Sequence, residues 1–64
     1  MVERPGLLDV VRLDTPLDRW PAGTEGTVVE TMGDHAIVEV EGETVLASYS
    51  ALTIVWSATR EHAF

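Results

Sequence analysis

The sequence predicts an all-β fold of five short strands. Short runs rich in valine, leucine, isoleucine and threonine alternate with breaks that contain glycine or proline, which is the pattern of strands joined by turns. No run of ten residues has the spacing of an amphipathic helix. With 64 residues and no cysteine, the chain supports one core, which packing or a partner must stabilise.

The first strand is predicted at Leu7–Leu13, because this run is rich in valine and leucine and Pro16 follows its end. A long loop that contains Pro21 and Gly23 comes next. After the loop we expect three strands in a meander, one 3₁₀ turn and a final strand. The predicted strands are 7–13, 24–32, 35–41, 44–48 and 52–56, and the 3₁₀ turn is 49–51.

This order of elements is that of SH3-like barrels, in which a small chain buries its sheet without wide exposed edges. The predicted organisation is an N-terminal extension at 1–6, a five-stranded SH3-like barrel at 7–56 and a mobile C-terminal tail at 57–64. The barrel is therefore expected to carry any function.

Two glycine turns determine the register of the meander. Gly33-Asp34 is predicted as the central pair of a type II′ turn, because glycine readily adopts the positive φ that the turn requires. In the second turn the central pair is either Glu41-Gly42 or Gly42-Glu43. Both choices leave the same side chains on the same face.

The predicted register divides the meander into two faces. The core face is expected to hold Val29, Ala36, Val38, Val40, Val45 and Ala47. The opposite face is expected to hold Val28, Ile37 and Leu46, framed by Glu30, Glu39 and Glu41. Exposed apolar side chains in a group often mark a binding surface. The alternative is a β-bulge that turns part of this face inward, with Val28 in the core.

Charge restricts the partners of this chain. The net charge is −7, and the segment between Trp20 and Thr59 has six acidic residues and no lysine or arginine. Nucleic acid and anionic membranes are therefore disfavoured, and a basic protein partner is expected. The N-terminus lacks the pattern of a signal peptide, so the predicted location is cytoplasmic.

No catalytic, metal or cofactor site is predicted. His35 and His62 are the only histidines, and they fall too far apart in the predicted fold to share a metal. Glu39 and Glu41 are expected to point to one face of a strand, but a small barrel offers no cleft that would shift the pKa of either. The absence of lysine excludes Schiff-base chemistry.

Two aromatic residues form a secondary candidate site. Trp20 in the long loop and Tyr49 in the 3₁₀ turn occupy the regions that flank the peptide groove of eukaryotic SH3 domains, where aromatic rings stack on proline-rich ligands. The alternative is a structural role, in which Trp20 covers one end of the core.

A resemblance to the small bacterial family called domain of unknown function 4926 is carried by Ala22-Gly23-Thr24-Glu25-Gly26-Thr27-Val28-Val29-Glu30 and by Ala36-Ile37-Val38-Glu39-Val40. Asp9-Val10-Val11 with Leu13, and Leu52, match its opening and its late leucine. Ile37 stands where the family usually has an aromatic residue. The resemblance implies a stand-alone SH3-like barrel that binds a neighbouring protein such as a toxin. Its G-x-x-G-x-V element is shared with KOW modules.

We therefore expect a non-enzymatic, acidic protein-binding module, similar to an immunity protein, an antitoxin or an accessory subunit. The first alternative is a homo-oligomer, and the second is a KOW-like module associated with nucleic acid, against which the net charge counts. The expected contact residues for a basic partner are Val28, Glu30, Ile37, Glu39, Glu41 and Leu46.

Overall fold

A computed structural model describes residues 4–58 of this chain as one antiparallel sheet of five strands. The strands are β1 (Val10–Leu13), β2 (Glu25–Met32), β3 (His35–Val40), β4 (Glu43–Ser48) and β5 (Leu52–Trp56), and a 3₁₀ turn, η1 (Tyr49–Ala51), joins β4 to β5. The strand order is β4-β3-β2-β1-β5. These elements confirm the predicted all-β fold, the long first loop and the 3₁₀ turn. Over residues 4–58 no ladder joins the two edge strands, β4 and β5.

Both glycine turns have the φ angles that their turn types require, and together they determine the register of the meander. Met32 pairs with His35 around Gly33-Asp34, and Gly33 has a φ of 60°, which fits the first central position of a type II′ turn. In the second turn Glu41 and Gly42 have φ angles of 50° and 85°, as in a type I′ turn. The central pair is therefore Glu41-Gly42.

A β-bulge in β2 changes the predicted faces. Glu30 pairs with Ile37 as expected, but Val28 pairs with Val38, so that Val29 is the extra residue. Val28 is completely buried, whereas 41% of Val29 is exposed. The prediction that Val29 lies in the core is therefore wrong, and the bulged alternative is confirmed.

The core lies on the inner face of the sheet and consists of small and medium aliphatic side chains. Gly26 belongs to this face, because a Cβ there would lie 2.6 Å from the backbone oxygen of Glu39 and 2.6 Å from Cγ1 of Val38. Strand β2 therefore approaches β3 more closely than any side chain would allow. The buried residues are Val11, Leu13, Val28, Ala36, Val38, Val40, Val45, Ala47 and Leu52.

The start of the fold differs from the predicted strand. Leu7 and Leu8 form a turn before β1, and Leu8 has a φ of 70°, which excludes it from a regular strand. Asp9 after this turn is buried, and its carboxylate accepts hydrogen bonds from the backbone N–H groups of Gly6 (2.8 Å) and Ala58 (2.9 Å). The N-terminal extension is thus connected to the fold at Gly6.

The predicted mobile tail at 57–64 is described only as far as Ala58, so its remainder lies outside the described residues. His62 lies there too. No helix among the described residues is long and apolar enough to cross a membrane.

Candidate functional site

The outer face of the meander brings together apolar side chains and unpaired carboxylates. Cross-strand pairing places Glu30 beside Ile37, and Ile37 beside Leu46. Leu46 is 53% exposed, and Val29 is exposed next to Glu30 as a result of the bulge. We call Val29, Glu30, Ile37, Glu39 and Leu46 the outer patch.

The predicted contact set needs two corrections. Val28 lies in the core and cannot contact a partner, because the bulge directs its side chain inward. Glu41 does not continue β3, which ends at Val40; it lies at the tip of the hairpin. Glu39 and Glu41 are therefore not aligned on one strand face, as the paired-carboxylate arrangement would require. The remaining predicted residues, Glu30, Ile37, Glu39 and Leu46, do share the outer face.

The acidic residues of the one-signed segment fall into two groups. Glu43 forms an ion pair with Arg19, Asp34 binds the ring of His35, and Glu25 faces Arg12 across the β1–β2 ladder. Glu30, Glu39 and Glu41 form no ion pair with another described residue. Among the described residues of this segment, the carboxylates with neither an ion pair nor an arginine opposite them in the sheet are thus those on and beside the outer patch.

Two exposed leucines lie beside the bulge, in the turn before β1. The backbone N–H of Leu8 donates to the carbonyl oxygen of Val28 at 2.7 Å, which brings the Leu7-Leu8 turn alongside the bulge. Leu7 and Leu8 are 58% and 63% exposed. The predicted regular strand at Leu7–Leu13 does not anticipate this exposed turn, because the positive φ of Leu8 leaves no pattern in the sequence.

Trp20 and Tyr49 do not form a common groove. Trp20 packs against the core and stacks under the guanidinium of Arg19, whose carbon lies 5.0 Å from the ring centroid. Arg19 also binds Glu43 at the start of β4, whereas Tyr49 follows the end of β4. A six-residue strand is about 20 Å long, so the two rings lie at opposite ends of β4. The prediction of a shared groove is wrong, and Trp20 contributes to the core.

Tyr49 instead borders an open pocket of about 400 Å³. Ser48 Oγ accepts a hydrogen bond from the backbone N–H of Ser50 (3.3 Å), which holds η1 in place. His35 Nδ1 and Asp34 Oδ1 are 2.7 Å apart. This hydrogen bond, together with the positive charge of the His35 ring, lowers the pKa of Asp34. The lining residues are Arg4, Asp34, Ser48, Tyr49 and Ser50.

Among residues 4–58, no group of three or more histidine, cysteine, aspartate or glutamate side chains is arranged to hold a metal ion. Glu30 and Glu39 of the outer patch are exposed on the face of the sheet.

Comparisons with protein-family models, with curated proteins and with solved structures found no significant match to this chain. The resemblance to domain of unknown function 4926 therefore stays a prediction that rests on the residues quoted for it.

Proposed function

We propose that this chain is a non-enzymatic binding module whose outer patch docks a basic protein partner. The observation that carries the proposal is the coincidence of exposed apolar side chains with exposed carboxylates that form no ion pair with another described residue. Leu46, Ile37 and Val29 supply apolar area at the centre, and Glu30 and Glu39 supply negative charge beside it. Interfaces commonly combine a desolvated apolar centre with charges that orient the partner.

Charge complementarity determines the class of partner. An acidic or polyanionic partner would meet repulsion from a chain with a net charge of −7. A basic segment with apolar side chains would instead pair with Glu30 and Glu39 while covering Leu46. An antitoxin, an immunity protein or an accessory subunit would bind its cognate protein in this way.

The test is affinity capture from the native host with the full chain and matched variants. Leu46→Ser and the double variant Glu30→Lys with Glu39→Lys alter the outer patch. Val55→Ser is the control, because Val55 is a similarly exposed apolar residue (46%) on β5. We expect a basic protein that the wild type and the control retain and that both patch variants lose.

Kinetics separates the two parts of the proposal. With the captured protein, the double charge reversal should slow association and flatten its dependence on salt, whereas Leu46→Ser should mainly accelerate dissociation. Capture that is the same for all variants, or a partner with net negative charge, would contradict the proposed function.

A second candidate is self-association, for which the β4 edge is the supporting observation. Over residues 4–58, β4 pairs with β3 alone, and its one charged residue, Glu43, is paired with Arg19. Two copies of β4 would therefore meet without repulsion between carboxylates. Light scattering at micromolar concentration tests this, and a monomer there would exclude it.

A further inference from the structure

The pocket beside η1 adjoins the outer patch. Ser48 lines the pocket and follows Leu46 by two positions in β4. Residues two apart in a strand point to the same face and are separated by roughly 7 Å. A partner that covers Leu46 therefore reaches the mouth of this pocket.

The chain places one of its own cations at the wall of this pocket, over the aromatic ring. The guanidinium carbon of Arg4 lies 5.7 Å from the centroid of the Tyr49 ring, within the range of a cation–π contact. The carboxylate of Asp34 lines the same pocket, and 82% of its side chain is exposed. Arg4 forms no ion pair with Asp34, although its positive charge contributes to lowering the pKa of Asp34, after the larger effect of His35. Arg4 therefore contacts the aromatic face of the pocket and leaves the carboxylate of Asp34 open to a closer cation.

We propose that this pocket recognises an arginine side chain of the partner and that Arg4 covers its aromatic face in the free chain. The proposal rests on the proposed function, because it identifies one side chain that the basic partner would present. The pocket offers an aromatic face, one carboxylate and the hydroxyl oxygens of Ser48 and Ser50 as acceptors. A planar guanidinium with several donors uses all three. An anionic ligand would be repelled by Asp34, and a neutral one would gain no charge pairing with this carboxylate, whose hydrogen bond to His35 leaves 82% of its side chain exposed.

Arg4 then acts as an internal competitor. When a side chain of the same protein covers a binding site in part of the molecules, only the remaining fraction can bind an external ligand. The apparent affinity for that ligand is then the intrinsic affinity multiplied by this free fraction. Removing the side chain with Arg4→Ala should therefore strengthen the binding of an external arginine. A merely structural contact between Arg4 and Tyr49 would have no such effect.

The experiment is an NMR titration of the full chain with N-acetyl-L-argininamide. We expect saturable shifts at Asp34 and Ser48–Ser50, with an apparent affinity roughly two- to fivefold higher in Arg4→Ala than in the wild type, in line with the strength of an exposed cation–π contact. N-acetyl-L-citrullinamide, which has nearly the same shape without the charge, should produce no saturable shift.

The choice of pocket variant keeps the test decisive. Tyr49 packs against the core, so Tyr49→Leu would report on folding as well as binding. The side chain of Asp34 is exposed, so Asp34→Asn should weaken the binding of the arginine probe without loss of folded structure. Equal shifts with the citrulline probe, or no gain in affinity in Arg4→Ala, would overturn the proposal.

Failure here is distinguishable from failure of the proposed function, because the probe requires no partner. The patch variant Leu46→Ser should bind the arginine probe as the wild type does. If the probe binds but capture is the same for all patch variants, the proposed docking surface is contradicted and the proposed arginine pocket is supported. If the patch variants lose capture but the probe does not bind, the docking surface is supported and the arginine pocket is contradicted.

Discussion

Asp9 and Ala58 are joined by a hydrogen bond of 2.9 Å that spans 49 residues of sequence. The Oδ1 atom of Asp9 accepts from the backbone N–H of Ala58, and Oδ2 accepts from Gly6 at 2.8 Å. Only 3% of Asp9 is exposed, and no other charged or polar residue among those described is buried. One carboxylate therefore connects the segment before β1 with the segment after β5.

Asp9→Asn should destabilise the fold by about 1–3 kcal/mol, the usual cost of a buried hydrogen-bonding group that loses its partner. Both carboxylate oxygens accept from N–H groups, and an amide can offer one oxygen only, so its NH₂ group would oppose one of these donors. Urea unfolding of the full chain measures the change. Asp14→Asn is the matched control, because the exposed Asp14 accepts a hydrogen bond from the Thr53 hydroxyl (2.6 Å) that an amide oxygen can still accept. An equal effect of the two substitutions would contradict the role assigned to Asp9.

The two neighbouring valines of the bulge provide a second test. Val28→Ala should cost about 2 kcal/mol, because a fully buried side chain is shortened. Val29→Ala should cost less than about 0.5 kcal/mol, as is usual for an exposed position. Thermal or urea unfolding of both variants measures the difference. An unbulged register would place Val29 in the core and reverse the order.

These valines also show where prediction from sequence stops. Gly33-Asp34 and Glu41-Gly42 determine the pairing near each turn through local φ preferences, and that part of the register was predictable. The bulge could be predicted only as one of two alternatives, since positions 28 and 29 are both valine and no local preference distinguishes them. Their burial depends on the whole sheet, which brings β2 against both β1 and β3.

The candidate site likewise contains contacts that the sequence predicts and contacts that it does not. Ile37 and Leu46 were predicted as neighbours because a single hairpin joins their strands. The contact between Arg4 and Tyr49 was not predicted, because it joins the N-terminal segment to η1 across most of the chain. Such contacts between distant segments leave no periodic pattern in the sequence.

Gly26→Ala should destabilise the fold by about 1–3 kcal/mol, as overpacking of a close-packed core does. The added methyl would lie 2.6 Å from the Glu39 backbone oxygen, which cannot move without disturbing the β2–β3 ladder. Gly6→Ala is the matched control, because the nearest atom to its Cβ, Oδ2 of Asp9, is 3.9 Å away. Urea unfolding should show a loss for Gly26→Ala alone. A tolerated Gly26→Ala would mean that β2 and β3 are farther apart than described.

His35→Gln should raise the pKa of Asp34 toward that of an ordinary aspartate. The hydrogen bond from His35, followed by the charge of its ring, lowers this pKa in the folded chain. A carboxyl whose pKa is lower in the folded than in the unfolded state stabilises the fold above the unfolded pKa of about 4. The stabilisation that Asp34 contributes is lost as the pH falls through the lowered pKa that this carboxyl has in the folded chain. Carboxyl ¹³C NMR against pH measures the change, with Thr44→Gln as a control on the same face of the sheet. An unchanged Asp34 titration in His35→Gln would show that the hydrogen bond does not persist in solution.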